Sequence, residues 1–115
     1  MHIVTTPHVP GHVCYASSGL VHATSILATD AVNDAFAAMK NFFGGKIGNY
    51  EALIHKGRAQ ALEAIQEQAF KMGANAIVGV SFDIEMMSMA KGGFLSVSVV
   101  GTAVLCKPEE SDPVL

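Results

Sequence analysis

The sequence has no tryptophan, two cysteines and few charged side chains. Charged residues make up 15% of the 115 positions, whereas ordinary soluble domains carry about 25%. Lysine and arginine number 7 against 10 acidic residues, and this balance argues against a nucleic-acid-binding protein, which normally carries a basic excess. The sequence also lacks a run of about 18 apolar residues, the length that a transmembrane helix requires. Neither nucleic-acid partners nor membrane insertion is expected.

The two cysteines, Cys14 and Cys106, lie far apart in the sequence and form no CxxC motif. This usage predicts a reducing, cytoplasmic environment. The first residues, Met1–Thr5, lack the basic segment that opens a secretory signal peptide. We therefore expect a cytoplasmic protein.

Hydrophobic residues, in contrast, make up 50% of the chain, and the mean hydropathy is +0.38. A chain of 12.0 kDa forms one domain, and a domain of this size buries about two-thirds of its unfolded surface. Apolar side chains that do not fit into that core must be shielded from water by a membrane or by another protein surface. Since no membrane span absorbs them, self-association is the expected solution.

The periodicity of apolar residues predicts the element order strand, helix, helix, strand, strand. Thr29 or Asp30 is expected to cap the first helix, and the glycines at 44–45 and Gly73 to end the two helices. The elements are predicted at 12–27, with a bulge or bend at 17–19, at 29–43, at 49–72, at 76–86 and at 95–103.

Strict alternation of apolar and polar residues marks the last two strands, which a turn at Lys91–Gly93 joins as a hairpin. The expected fold is a two-layer α+β domain over residues 1–107, with a three-stranded, mostly antiparallel sheet and helices on one face. Residues 1–11 are expected to form an extended arm, and the acidic residues 108–115 a disordered tail. The alternation also predicts one apolar face on the first strand of the hairpin, formed by Ala76, Val78, Val80, Phe82, Ile84 and Met86.

Spaced motifs occur in the chain at Thr5–Pro7, Gly44–Glu51, Arg58, Gly73–Val80, Asp83, Glu85 and Gly101–Val104. In this order they resemble the YbjQ-type family, small bacterial proteins that are classed as heavy-metal-binding and whose function is uncharacterised. The resemblance extends to about Lys107. It implies a dodecin-like two-layer subunit that assembles into a pentameric ring, with short extra strands tying the subunits together.

A small ligand is expected at residues drawn from these motifs: Gly44, Gly45, Lys46, Gly48, Tyr50, Glu51, Arg58, Asp83 and Glu85. The chain departs from the family in two places. Lys46–Ile47 stand where the family usually has Arg–Ser, and Ile84 stands where a tyrosine is common. Contacts to such a ligand would therefore be altered here.

The glycine loop is a candidate anion site. Gly44–Gly48 leads into a predicted helix, whose free N-terminal amides attract phosphate. A turn between helices, in which glycine supplies a positive φ, explains the same glycines. Four of the seven basic residues lie near this loop, whereas Glu51 is the single acidic residue there. The four basic residues are Lys40, Lys46, Lys56 and Arg58.

His12 and Cys14 are candidate ligands for a soft divalent metal or copper. Two positions apart on a strand, they share a face and both reach one ion. A stable zinc site needs about four ligands, however, and no paired-ligand motif occurs. The alternative interpretation is a surface histidine beside a buried thiol. Further soft donors occur at His8, His22, Cys106, Met86, Met87 and Met89.

Asp83 and Glu85 share a strand face, as paired carboxylates in acid–base enzymes do, and Ser98 and Thr102 would line the same surface. The same pattern is typical of a solvated or interface sheet face, and no nucleophile elbow, triad order or dinucleotide fingerprint occurs. We therefore expect a cytoplasmic homo-oligomer that is not an enzyme and that binds a small ligand or ion. The alternatives are soft-metal binding through His and Cys, and an enzyme acting on a small anionic substrate at a subunit interface.

Arg58 is expected near the centre of the apolar arc of the long helix. An inward-facing guanidinium rarely stays unpaired, because burying an isolated charge is costly. Its expected partner is Glu51, or Asp83 or Glu85 of the same or a neighbouring subunit. The alternative interpretation is that the aliphatic stem lies along the apolar arc and the guanidinium reaches water without a partner. The arc is formed by Ile54, Ala61, Leu62, Ile65, Ala69 and Met72.

Overall fold

The computed structural model describes residues 1–28, 46–89 and 92–109, and the side chains of residues 1–27, 51–86 and 94–109. The predicted strands and the long helix are confirmed, and the helix begins at Lys46 rather than Asn49. The predicted helix over 29–43, the turn residue Lys91 and the tail beyond residue 109 lie outside the described residues. The elements are β1 (His2–Ile3), β2 (His12–Ala28), α1 (Lys46–Lys71), β3 (Ala76–Met89) and β4 (Gly92–Pro108).

The sheet has four strands in the order β1–β3–β4–β2, so the predicted three-stranded sheet is wrong by one strand. The additional strand comes from the N-terminal arm, because β1 pairs parallel with β3 and places His2 opposite Ala76. The contact continues beyond β1, where the N–H of Gly79 donates to the carbonyl of Thr6 at 2.9 Å. Parallel pairing between segments this distant in sequence leaves no local pattern, which is why the arm was not counted as a strand.

β4 runs antiparallel to both of its neighbours. Residues 90 and 91 alone separate it from β3, and two residues are too few for a parallel crossover. On its other side, Cys106 lies beside Cys14 and Ser98 beside Thr24. The sheet is therefore mixed, with a parallel edge formed by the arm.

Gly79 interrupts the alternation of β3. Its φ is +61°, a conformation that other residues rarely adopt. Ile77 and Val80 both face Gly101 of β4, where an added Cβ would lie 2.7 Å from Ile77 Cγ2 and 3.2 Å from Val80 Cγ2. The prediction that Val78 shares a face with Val80 is therefore wrong, because a bulge at Gly79 shifts the side-chain register by one residue.

The described residues form two compact units. The first comprises residues 1–22, 65–81 and 100–109. Within it, the side-chain amide of Gln68 accepts from the N–H of His22 at 3.2 Å and donates to its carbonyl at 2.8 Å, which ties the end of α1 to β2. Its core cluster consists of Val9, Ala76, Val78, Val104 and Cys106, with Val4 and Cys14 packed against it.

The second unit comprises residues 23–28, 46–64, 82–89 and 92–99. Here α1 packs on β4, and Leu53, Leu95 and Val97 are buried together. Gly57 lies at the closest approach of helix and strand, since an added Cβ would lie 2.7 Å from Cγ2 of Val97 and 3.2 Å from its Cβ. The absence of a side chain at Gly57 therefore lets the helix backbone contact the sheet.

The buried stripe of α1 follows a spacing of four residues. The predicted apolar arc is displaced from this stripe by about one residue, because Gly57 was not counted as apolar. Arg58 is half-buried at the edge of the stripe, and Met72, predicted in the arc, is 40% exposed. Within the described ranges, no helix is both long and apolar enough to cross a membrane. The stripe consists of Leu53, Gly57, Ala61, Ile65 and Ala69.

Replacing Gly57 with alanine should destabilise the protein, although alanine favours helices over glycine by about 1 kcal/mol. The new methyl group would overlap the buried Val97, and overpacking of this kind costs about 1–3 kcal/mol. We expect the Tm of Gly57→Ala to lie below that of the wild type in thermal unfolding followed by circular dichroism.

The double variant Gly57→Ala/Val97→Ala is the matched control, because a smaller side chain at position 97 makes room for the methyl group. Its loss in free energy of unfolding should be smaller than the sum of the two single losses. Additive losses, or a raised Tm for Gly57→Ala, would contradict the close contact.

Candidate functional site

An open cleft of about 450 Å³ lies in the first unit. The arm, the start of β2, the end of α1 and the end of β4 all contribute to its walls. Two histidines and a cysteine are among its lining residues, and imidazole and thiolate are ligands that soft metal ions prefer. Its lining includes His2, His12, Phe70, Asn75, Cys106 and Pro108.

His2 and His12 meet in this cleft, with ring centroids 4.6 Å apart and ring planes inclined at 59°. Nδ1 of His12 lies 3.0 Å from the carbonyl oxygen of Pro10. A carbonyl oxygen only accepts, so Nδ1 carries the proton and donates it. In the neutral ring the lone pair is then on Nε2, and backbone carbonyls orient metal-binding histidines in the same way.

Cys14 and Cys106 are joined by a disulfide. They are separated by 92 positions, but the pairing of β2 with β4 brings their Cα atoms to 4.1 Å. The prediction that Cys14 and Cys106 are two separate, reduced thiols is therefore wrong for this state of the protein. Separation along the sequence does not indicate which strands pair. Cys14, a predicted metal ligand, has its sulfur committed to this bridge.

Asn75 holds Cys106 in place. Its Nδ2 donates to the Cys106 carbonyl and its Oδ1 accepts from the Cys106 N–H, both at 2.8 Å. The amide thereby takes the role of a strand partner just before β3 begins. Cys106 is also 5% exposed, so hydrogen bonding and burial together set the position of its sulfur.

The glycine loop is described only in part. Gly44 and Gly45 lie outside the described residues, while Lys46, Gly48 and Tyr50 form the beginning of α1, where the backbone alone is described. The expected helix start after a loop through Gly48 is therefore wrong, because α1 already includes that glycine. The next candidate, Glu51, is exposed on α1.

Arg58 makes none of the predicted ion pairs among the described residues. Its Nε is buried and has no hydrogen-bond acceptor in the described part of the chain. The guanidinium carbon lies 5.7 Å from the centroid of the Phe82 ring, within the range of a cation–π contact. A pairing with a carboxylate of a neighbouring subunit stays a prediction.

Asp83 and Glu85 are both exposed, and they alternate with half-buried residues such as Phe82. The alternation places the two carboxylates on one polar sheet face, opposite the face that packs against α1. On β2 and β4 the same face carries Thr24 and Ser98, whose hydroxyl oxygens lie 3.0 Å apart. The structure thus brings the carboxylates onto a shared surface and separates them from the helix.

The predicted metal ligands His12 and Cys14 lie on one face of β2. The structure places His2 against His12 and bonds Cys106 to Cys14. Of these two neighbours, Cys106 was named in the sequence analysis as a further soft donor and His2 was not. An even number of cysteines was the one available signal for a pairing of Cys106 with Cys14, and His8, named as a further soft donor in the arm, is exposed. In the disulfide state, no three His, Cys, Asp or Glu side chains of the described residues are grouped as metal ligands.

The bond from His12 to Pro10 generates a direct prediction. At alkaline pH the neutral ring of His12 should carry its proton on Nδ1, whereas free imidazoles in water prefer the Nε2 tautomer. Long-range 1H–15N correlation spectra distinguish the two forms. His8 is the internal control and should follow the solvent preference, while an Nε2-protonated His12 would contradict the bond to Pro10.

Comparisons with known proteins agree with this architecture. The YbjQ family model, described as "Putative heavy-metal-binding", matches residues 1–107. UPF0145 proteins from two strains of Actinobacillus pleuropneumoniae, serotype 5b (strain L20) and serotype 3 (strain JL03), are each 36% identical over 107 residues, covering 93% of this chain and 100% of the relative.

A crystal structure of a protein of unknown function from Pediococcus pentosaceus, assigned to the DUF74 family, is also similar to this chain. Its TM-score is 0.60 at 20% sequence identity, and the match covers 93% of this chain and 98% of that one. This likeness supports the α+β fold alone. The family model and the curated relatives show that the chain belongs to the YbjQ family.

Proposed function

We propose that this chain is a homo-oligomeric protein that binds a soft metal ion in the cleft, and that it is not an enzyme. The observation that carries the metal assignment is the meeting of His2 and His12 at 4.6 Å between ring centroids. Two imidazoles on one tetrahedral ion, with metal–nitrogen bonds of about 2.0–2.1 Å, have centroids about 5 Å apart. The description of the family as heavy-metal-binding supports the same class of ligand.

The free nitrogen of His12 supports this assignment. Since Nδ1 is bonded to Pro10, Nε2 is the atom available to an ion. The cleft is open, so an ion reaches this atom without a rearrangement of the core. A soft divalent ion such as Zn²⁺, or copper in its reduced state, suits imidazole donors.

The edge of the sheet supports self-association. β2 is an edge strand of 17 residues that pairs with β4 alone in the described part of the chain. Tyr15, Leu20 and Ile26 on this strand are 59%, 63% and 64% exposed. A long, apolar edge strand is a template for pairing with another chain. We propose a second copy of this chain as its partner, in the pentameric ring that the family resemblance implies.

The surroundings of Arg58 also favour assembly. A buried guanidinium N–H is unfavourable without an acceptor, and the Nε of Arg58 has none among the described residues. Asp83 and Glu85 are exposed and turned away from α1 of their own chain, so we propose that they pair with Arg58 of a neighbouring copy. We propose the cytoplasm as the location of the protein.

Reduced, untagged and metal-free protein should bind Zn²⁺, and His12→Ala should weaken the binding by about tenfold or more, because it removes a ligand. Competition with a chromophoric zinc chelator measures the two affinities. His22→Ala is the matched control, since His22 is exposed on the same strand and does not line the cleft. Equal affinities for wild type and His12→Ala, or no binding at all, would refute the metal assignment.

Light scattering at micromolar concentration should give a mass that is a multiple of 12.0 kDa, and five copies if the ring is correct. Leu20→Glu should lower this mass, because a charge replaces an apolar side chain on the proposed interface. Gln66→Glu introduces the same charge at an exposed polar position of α1, outside the proposed edge-strand interface, and should leave the mass unchanged. A monomeric wild type would contradict the assembly.

A further inference from the structure

We propose that the Cys14–Cys106 disulfide is a redox switch on the metal site, and that its reduction completes a four-donor site with His2 and His12. The inference rests on the proposed function and deepens it. In the oxidised state the sulfur atoms are bonded to each other and two imidazoles are left. In the reduced state, two thiolates join them in the two-sulfur, two-nitrogen set that soft tetrahedral ions prefer.

The positions of the four donors support a common site. His12 and Cys14 are two positions apart on β2 and therefore point to the same face. Cys106 is bonded to Cys14 and lines the cleft together with both histidines. Two thiolates on one zinc ion are about 3.8 Å apart, given zinc–sulfur bonds of about 2.3 Å. The 4.1 Å separation of the two Cα atoms is compatible with this distance after small side-chain rotations.

The surroundings of the donors are those of a built site. Pro10 orients His12 through Nδ1, and the amide of Asn75 fixes both backbone groups of Cys106. Neither contact involves the sulfur atoms, so neither depends on the disulfide. Groups that hydrogen-bond to the metal ligands without contacting the metal raise the affinity for the metal, because they restrict the ligands to one geometry.

The switch is a two-electron exchange. A small dithiol attacks the disulfide, and two electrons pass to the Cys14 and Cys106 sulfurs, which take up two protons, while the dithiol closes to its own cyclic disulfide. Binding of the metal then displaces the thiol protons. An oxidant of the disulfide class reverses the exchange, takes back the two electrons and removes both sulfur ligands from the ion.

Co²⁺ alone is the probe for the test, because thiolate-to-cobalt charge transfer and tetrahedral d–d bands report the ligands directly. Anaerobic titrations compare the disulfide form of the full chain with the same protein after treatment with a dithiol and its removal. The reduced form should bind one Co²⁺ per chain with both absorption features. The oxidised form should bind at least about 100-fold more weakly and without charge transfer.

Three variants and a protection assay complete the experiment. Cys106→Ser should lose most of the charge-transfer band in the reduced state, and His12→Ala, at the protein surface, should weaken binding even if the cysteine variant fails to fold. His22→Ala should behave as wild type. Bound Zn²⁺ should also protect both reduced cysteines from alkylation.

The outcomes separate the two proposals. Equal affinity in the oxidised and reduced forms would overturn the switch and leave the proposed metal binding intact. Binding by neither form would overturn both. Binding by the reduced form that persists unchanged in His12→Ala would overturn both proposals. Binding that leaves the cysteines open to alkylation would overturn the four-donor site alone.

Discussion

Burial of the apolar side chains of β4 is the constraint on which the rest of the structure depends. In the second unit, Leu95 and Val97 pack against α1, and the bare backbone of Gly57 allows the helix to approach. In the first unit, Val104 and Cys106 are buried together with Val9 of the arm. In each unit, the apolar side chains of this interior strand need a covering element that removes them from water. The positions of the helix, the arm and β2 follow from this requirement.

The candidate site is a consequence of the same constraint. Because the arm covers the end of β4, it brings His2 to His12, and because β2 pairs with β4, Cys14 meets Cys106. Asn75 satisfies the backbone of Cys106 where β3 has not yet begun. The candidate donors therefore come from three different strands and meet only in the folded chain, so the proposed metal binding would be thermodynamically coupled to folding.

The low content of charged residues also affects the protein surface. A chain with 15% charged residues exposes large apolar side chains, among them Phe70 at 77% and Ile26 at 64%. Ile26 lies on the edge strand β2, and exposed apolar groups of this size on an edge strand favour association with another chain. Arg58 reflects the same shortage of charge, since its guanidinium contacts the Phe82 ring rather than a carboxylate among the described residues.

Local patterns in the sequence determined the long elements and one side of the candidate site. The helical periodicity of apolar residues predicted α1, Gly73 predicted its end, and period-two alternation predicted most of β4. These patterns depend on backbone propensity and on which face is apolar. The same periodicity placed His12 beside Cys14. The tertiary structure alone decided three features: the additional strand β1, the change of side-chain register at Gly79 and the pairing of Cys14 with Cys106. These features arise from pairing between segments far apart in sequence, whose stability comes from mutual burial and hydrogen bonding that no local pattern records.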